Sequence, residues 1–378
     1  MKGINTMNKL LENDAKELLG NIDLNWFEGK KVLITGASGL LGINLVALFK
    51  YSNINVKCLC LVNSPPTGEF KNLIDSRDLC KDLKDDCYFS IGDYLIDYTI
   101  ARIRYYQCDL TKTTNITNFG FFDAIFHFAT YGQPEKIFTA NNMQNQLNTI
   151  SLNTHIVNML FKILATNGKF IFLSTSEVYQ GLSGLHKEHE IGTSTPEHAR
   201  ACYIEAKRCG EAICNIYKQN GYDVKVIRLC LAYGIGVKKT DNRVLNNFFH
   251  KGLIDKEIYL RDSGSALRTY CYVSDVLRMI LTIMLNGKEL IYNVGGDEII
   301  SIYELATKIG QLINVPVVVP SIQCGIDGAV QRVSLCMDRY NDEFGKKELI
   351  TMDEGLKRTK IWWLVQHNII KWSVCNDE

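Results

Sequence analysis

The sequence predicts an α/β chain: a parallel sheet with helices on both faces, followed by a smaller C-terminal lobe. Three observations predict it. Short apolar runs alternate with helix-spaced stretches from about residue 31 to residue 229, as in a doubly wound parallel sheet. The first of these runs ends in a glycine turn that opens directly into a helix. After about residue 235 the alternation weakens and short mixed elements follow, with no repeat, low-complexity tract or flexible linker between. A chain of 378 residues has room for two to three lobes at roughly 150 residues each.

Residues 8–20 carry Leu10, Leu11, Leu18 and Leu19 at near-helical spacing and stop at Gly20, so they read as an amphipathic helix in an N-terminal extension, 1–29. VLIT (32–35) is a strand, GASGLLG (36–42) the turn and INLVALF (43–49) a helix. VKCLCLV (56–62) is the second strand. From 64 to 103 an insertion interrupts the pattern; DSRDLCKDLKDDC within it reads as a solvated helix, because a stretch that long in a compact domain needs structure of its own. Strands resume at 104–108, 123–128 and 169–174, with a helix over roughly 145–166. Residues 204–219 read as helix and 224–229 as strand. This gives a sheet domain over 30–235 and, over 236–378, a smaller lobe from which some segments return to the sheet.

Lys and Arg number 42 and Asp and Glu 41. That balance gives no support for a nucleic-acid or anionic-membrane partner. No apolar run reaches the roughly 18 residues of a membrane span, and the first thirty residues lack the pattern of a secretory leader. Thirteen cysteines without CxxC spacing, and no zinc-like Cys–His spacing, read as reduced thiols with no metal site. The expected location is the cytoplasm.

Gly36, Gly39 and Gly42 follow the first strand as GxxGxxG. Glycines let the backbone approach a pyrophosphate, and the helix behind them offers free N–H groups and partial positive charge. This is the signature of a Rossmann-like dinucleotide site. Ser38, Leu40 and Leu41 complete the turn. The position that carries an acidic ribose contact in many such sites is Asn63 here, and no Arg follows to bind a 2′-phosphate, so NAD is expected over NADP. Asp109, with Leu110 beside it, follows the third strand, where an Asp meets the adenine amino group or caps a turn.

Tyr203 and Lys207 stand at YxxxK spacing. On a helix they share a face, and a lysine ammonium beside a phenol is expected to lower its pKa from about 10. The phenol can then take a proton from a substrate hydroxyl. STSEVY (174–179) follows an apolar strand, and strand C-termini are where an open α/β sheet puts its chemistry.

TGASGLLG, DAIFHFAT, FLSTSEVY and Tyr203…Lys207, in this order and spacing, resemble the extended short-chain dehydrogenases/reductases that act on nucleotide sugars. The resemblance runs from about Lys30 to Arg332. It implies an NAD enzyme that oxidises the sugar at C4, with Thr175 on the reacting hydroxyl, Ser176 and Glu177 in the chemistry beyond it, and Phe128, Ala129 and Thr130 along the cofactor. RACYIEAKR, TG (67–68) and SGSALRTYCYVSD look most like the UDP-glucuronate decarboxylases. Arg268 and Arg332 (in VQRVS) would then contact the substrate. Nucleotide-sugar 4,6-dehydratases, in which Glu177 would take the C5 proton, and C4 epimerases remain open at this point, as does a non-catalytic NAD-binding module. Leu231 stands where the family usually has Asn. Relatives commonly pair as homodimers through the helix that carries the Tyr–Lys pair. Arg200 stays outside the expected catalytic set, His127, Trp362 and Trp363 read as packing residues, and Glu211 and Lys218 as solvated helix surface.

Overall fold

The computed structural model describes residues 2–63, 68–73, 102–113, 116–131, 137, 142–321, 331–332 and 334–369. The charged helix expected within 75–87, and Thr67 of the TG pair, lie outside them.

Helix α1 (Lys2–Leu19) is longer than its leucines suggest. Met7, Leu11, Ala15 and Leu18 form its buried stripe. Then come β1 (Lys31–Thr35), α2 (Leu40–Tyr51), β2 (Lys57–Val62), α3 (Gly68–Leu73), β3 (Ile103–Gln107) and β4 (Phe122–His127). The single helix expected over 145–166 is two, α4 (Met143–Asn153) and α5 (His155–Phe161), broken at Thr154, whose φ of −125° and ψ of −78° leave the helical region. Strand β5 (Leu164–Thr175) starts five residues earlier than expected. Helix α6 (Ala201–Gln219) and β6 (Asp223–Leu229) follow. The remainder is β7 (Leu231–Tyr233), α7 (Val244–Ile254), β8 (Ile258–Tyr259), β9 (Leu267–Tyr272), α8 (Val273–Asn286), β10 (Ile291–Val294), β11 (Ile299–Ser301), α9 (Ile302–Ile313), β12 (Val317–Val318), α10 (Asp338–Phe344) and α11 (Met352–Gln366).

Seven strands make one parallel sheet in the order β10-β6-β5-β4-β1-β2-β3. Strands β1 and β2 are buried almost throughout, as a sheet covered on both faces requires. One apolar core gathers Phe27, Phe49, Ile280 and Trp362; the other gathers Leu33, Ile125, Phe161 and Phe170. Cys58 and Cys60 are buried strand residues. From β1 the chain runs outward to β2 and β3 on one side and to β4, β5 and β6 on the other. The crevice at this reversal, above the strand C-termini, is where such sheets bind ligands.

The smaller part holds a three-stranded sheet, β11-β9-β7, and the pair β12-β8. It is tied to the crevice. Asn44 of α2 donates to Ile235 O at 2.9 Å, and Lys238 Nζ reaches Ser38 Oγ of the glycine turn at 3.1 Å. Among the described residues no helix is long and apolar enough to cross a membrane, and no three His, Cys, Asp or Glu side chains gather as metal ligands.

Candidate active site

Strand β5 delivers Thr175 to the crevice, and Ser176–Tyr179 form a single tight turn there. The Thr175 hydroxyl caps that turn, accepting from Glu177 N at 3.3 Å. Helix α6 lies alongside. Its buried stripe carries Tyr203, Ala206, Lys207, Gly210, Glu211 and Cys214, so the helix turns its chemistry inward onto β5. Thr175 faces the Tyr203 phenol and favours its ionised form. Lys207 Nζ donates to Leu173 O at 2.5 Å and lies 5.0 Å from the Phe172 ring centroid and 5.9 Å from that of Tyr203. Thr175, Ser176, Glu177, Tyr203 and Lys207 are therefore brought together.

The expected lowering of the Tyr203 pKa is overturned. Burial pushes the phenol up to about 12, and the neighbouring Glu177 carboxylate acts in the same direction; Thr175, Arg200 and Arg243 oppose it. Burial likewise brings Lys207 down to about 7, against the nearby Glu211 carboxylate. Both groups resist charging because both have left water.

Two residues outside the expected set lie at the centre. Arg200 immediately precedes α6, and its guanidinium holds Glu177 with two prongs, Nε to Oε2 at 2.6 Å and Nη2 to Oε1 at 2.5 Å. Arg243, locked to Asp241 by Nε–Oδ1 at 3.0 Å and Nη2–Oδ2 at 2.6 Å, acts electrostatically on Tyr203 and Tyr270. The Tyr270 hydroxyl is buried with no hydrogen-bond partner. Glu211, read as helix surface, is buried and paired with Arg228 at 2.7 Å, with Ser174 Oγ donating to it at 2.5 Å. Arg228 also reaches Tyr179 Oη at 2.9 Å, so a buried polar network supports the strand end from below.

Arg268 lies half-buried on β9, its Nη1 donating to Leu267 O at 2.8 Å. Arg332 is exposed, bridges β9 through its backbone at Leu267, and bonds Ser334 Oγ at 3.2 Å. These two arginines sit on adjacent chain segments at the rim.

The glycine turn has the form a pyrophosphate needs. Gly36 takes a φ of +66°, and a Cβ there would lie 2.8 Å from Ala129 N; one on Gly42 would lie 2.5 Å from Gly36 O. Gly39 starts α2 with no side-chain cap, so the first N–H groups of the helix are left for an anion. Ser38 and Leu40 are half-buried, and Leu41 is buried. At the end of β4, Phe128 is buried and Ala129 and Thr130 half-buried; Ala129 N donates to Thr35 Oγ1 at 3.2 Å. Asn63 is exposed just past β2. Asp109 caps a turn, accepting at one oxygen from Thr111 N at 3.0 Å and Thr111 Oγ1 at 2.6 Å. The Leu110 side chain packs into the second core. His127 is a core residue, bonded to Thr35 Oγ1 and Leu152 O at 2.8 Å each, and both tryptophans are fully buried.

The profile of the NAD dependent epimerase/dehydratase family matches residues 32–295. UDP-glucuronic acid decarboxylase 1 of Xenopus tropicalis is 30% identical over 251 residues, covering 63% of this chain and 56% of that protein. UDP-glucuronic acid decarboxylase 3 of Arabidopsis thaliana is 27% identical over 237 residues, covering 62% and 68%. The chain thus spans about half the length of the first of these relatives. Among solved structures, UDP-glucuronic acid 4-epimerase from Bacillus cereus, in complex with UDP-glucuronic acid and NAD, superposes with a TM-score of 0.68 at 18% identity, over 88% of this chain and 98% of that one. That likeness is one of fold.

Proposed function

Since the chain belongs to the NAD-dependent epimerase/dehydratase family, we propose that it uses NAD to oxidise a nucleotide sugar at C4 and then decarboxylates it, with a UDP-glucuronate-type substrate. The observation that carries decarboxylation is the Arg200–Glu177 pair. Dehydration needs a free base to take the C5 proton, and both oxygens of Glu177 are already engaged. Loss of CO2 from a C5 carboxylate needs no such base, because a C4 ketone β to the carboxylate accepts the electron pair.

Bound NAD would accept hydride from C4 and return it. The chain's own residues do the rest. Thr175 holds the 4-hydroxyl and Tyr203 removes its proton. Lys207, one helical turn on, lies beside the phenol ring and supplies positive charge there in its protonated form. Glu177 and Ser176 orient the carboxylated face of the sugar, and Arg268 and Arg332 neutralise substrate charge. Positioned acid–base groups of this kind contribute about 10²–10⁴-fold each. Gly36, Ser38, Gly39, Leu40, Leu41 and Gly42 would receive the pyrophosphate; Asn63, Asp109 and the backbone at Leu110 the adenosine; Phe128, Ala129 and Thr130 the rest of the cofactor. The UDP-glucuronic acid decarboxylases among its relatives support this reading.

The test is to incubate the protein with NAD+ and UDP-glucuronate and assay released CO2. Release that disappears in Tyr203→Phe is expected; no CO2 across pH 6–9 counts against the proposal. A homodimer and a cytoplasmic setting belong to the same proposal. Met143, Leu147 and Ile150 on α4 and Ile216 on α6 are exposed apolar residues on two helices that pack together, and none of the nine described cysteines is in a disulfide.

A further inference from the structure

The Glu177 carboxylate acts on the Tyr203 phenol, and it acts against ionisation. Any device that cancels its charge therefore helps Tyr203 act as a base. The structure contains one. Arg200 sits at the N-cap of α6, three residues before Tyr203, with φ −103° and ψ 10° and no capping bond from its side chain. Its amide is fixed by His198, which accepts through Nδ1 at 3.1 Å. The side chain is thereby aimed away from its own helix and onto Glu177, where the guanidinium fork matches the carboxylate prong for prong.

We propose that Arg200 is a positioning residue for proton transfer: by holding Glu177 at both oxygens it cancels the carboxylate's charge beside Tyr203 and withdraws Glu177 as a base. This rests on the reading of Tyr203 as the proton acceptor given above. A single arginine then does two things at once. It eases ionisation of the phenol against burial and Glu177, and it steers a C4-ketone sugar away from loss of its C5 proton.

The charged and titratable groups around the pair come from four elements. The turn after β5 gives Glu177; α6 and its N-cap give Arg200, Cys202, Tyr203 and Lys207. Arg243 comes from the segment before α7, and Arg268 and Tyr270 from β9. Arg243 is already neutralised by Asp241. Arg268 faces both Glu177 and Arg200, but its guanidinium donates to Leu267 O of its own strand. Burial also lowers Lys207 to about 7, so it carries full charge only below neutrality. None of these holds Glu177 as Arg200 does.

The experiment reads Tyr203 directly, without cofactor or sugar. The protein is labelled with 3-fluorotyrosine, the Tyr203 resonance is assigned by its loss in Tyr203→Phe, and its ionisation is followed by fluorine NMR. Arg200→Gln is expected to raise the midpoint by about one pH unit, the lower end of what a charge at this range does. Glu177→Gln is expected to lower it by a similar amount. The double variant should fall near wild type, and Arg200→Lys, which keeps charge but loses the fork, between wild type and Arg200→Gln. An Arg200→Gln midpoint within 0.2 unit of wild type overturns the proposal. If that variant does not fold, an unshifted midpoint in both Glu177→Gln and Arg200→Lys overturns it equally. With NAD+ and UDP-glucuronate, Arg200→Gln should also move the kcat profile to higher pH by the same unit while KM changes less than threefold. Wild type that turns over no UDP-glucuronate removes the proposed reaction but leaves the NMR shifts to decide the role of Arg200.

Discussion

Lys207 is 2% exposed, and taking an ammonium out of water is unfavourable unless it is well paired. Its folded pKa of about 7 lies below the ordinary 10.5. The folded chain therefore binds this proton less tightly than the unfolded one, and the loss of stability grows as pH falls from 10.5 toward 7. Lys207→Met, similar in length and apolar, is expected to raise stability at pH 7 by about 0.5–2 kcal/mol while removing turnover; urea unfolding beside a CO2 assay checks both. Glu211→Gln should do the reverse. It leaves Arg228, buried and bonded to Glu211 at two points, with an uncompensated charge, at about 3–5 kcal/mol. The sequence held a signal for Glu211: Tyr203, Lys207 and Glu211 follow each other at i, i+4 and i+8, one stripe of one helix. A carboxylate in line with a buried pair belongs to the buried face, whatever its usual preference for water. Arg200 was harder to read. It lies at the helix N-cap, where no periodicity governs direction, and only the packing of the turn after β5 brings Glu177 within its reach.

At the level of elements, the first half of the sheet was legible because its strands are uninterrupted apolar runs and its turn is rich in glycine. The second half blurred where local signals were absent. No Gly or Pro marks the break at Thr154, which is made by tertiary packing of α4 and α5. The start of β5 is polar, with Asn167 in the left-handed region at φ 61°, so pattern alone begins the strand too late. The depth at which α6 sits was also hidden. Gly210 has no Cβ because there is no room for one: it would lie 2.4 Å from Phe172 Cζ and 2.5 Å from Asn153 O. Gly210→Ala must push the helix off β5 and α4. The expected outcome is a loss of about 1–3 kcal/mol together with lower kcat, since Tyr203 rides on the same helix; thermal unfolding and steady-state kinetics measure it.

For the molecule as a whole, α1 is fastened at a point the sequence did not disclose. Asp14 accepts from Tyr272 Oη at 2.6 Å and pairs with Arg358 at 3.3 Å. Burial raises Asp14 from 3.8 to about 6. The folded state holds this proton more firmly than the unfolded one, so the stabilisation is complete below about pH 4 and is lost as pH rises through 6. Asp14→Asn is therefore expected to be more stable than wild type at pH 8, by up to about 3 kcal/mol at 1.36 kcal/mol per pKa unit, and level with it near pH 4; denaturation at the two pH values tests the difference. The proposed pairing of two chains is tested at the same scale. Ile216, 57% exposed, replaced by Glu together with Leu147→Glu, should halve the mass seen by light scattering and leave the fold intact.

Asp14 and Arg358 are 344 residues apart. A ribosome adding 5–20 residues per second needs roughly twenty seconds to a minute to get from one to the other. Throughout that interval the nascent polypeptide carries Leu11 and Leu18 without the α11 docking site they finally help to cover. Helix α1 can lean on α2, which is made moments later, but the clasp between Asp14 and Arg358 closes only after nearly all the described residues have been synthesised.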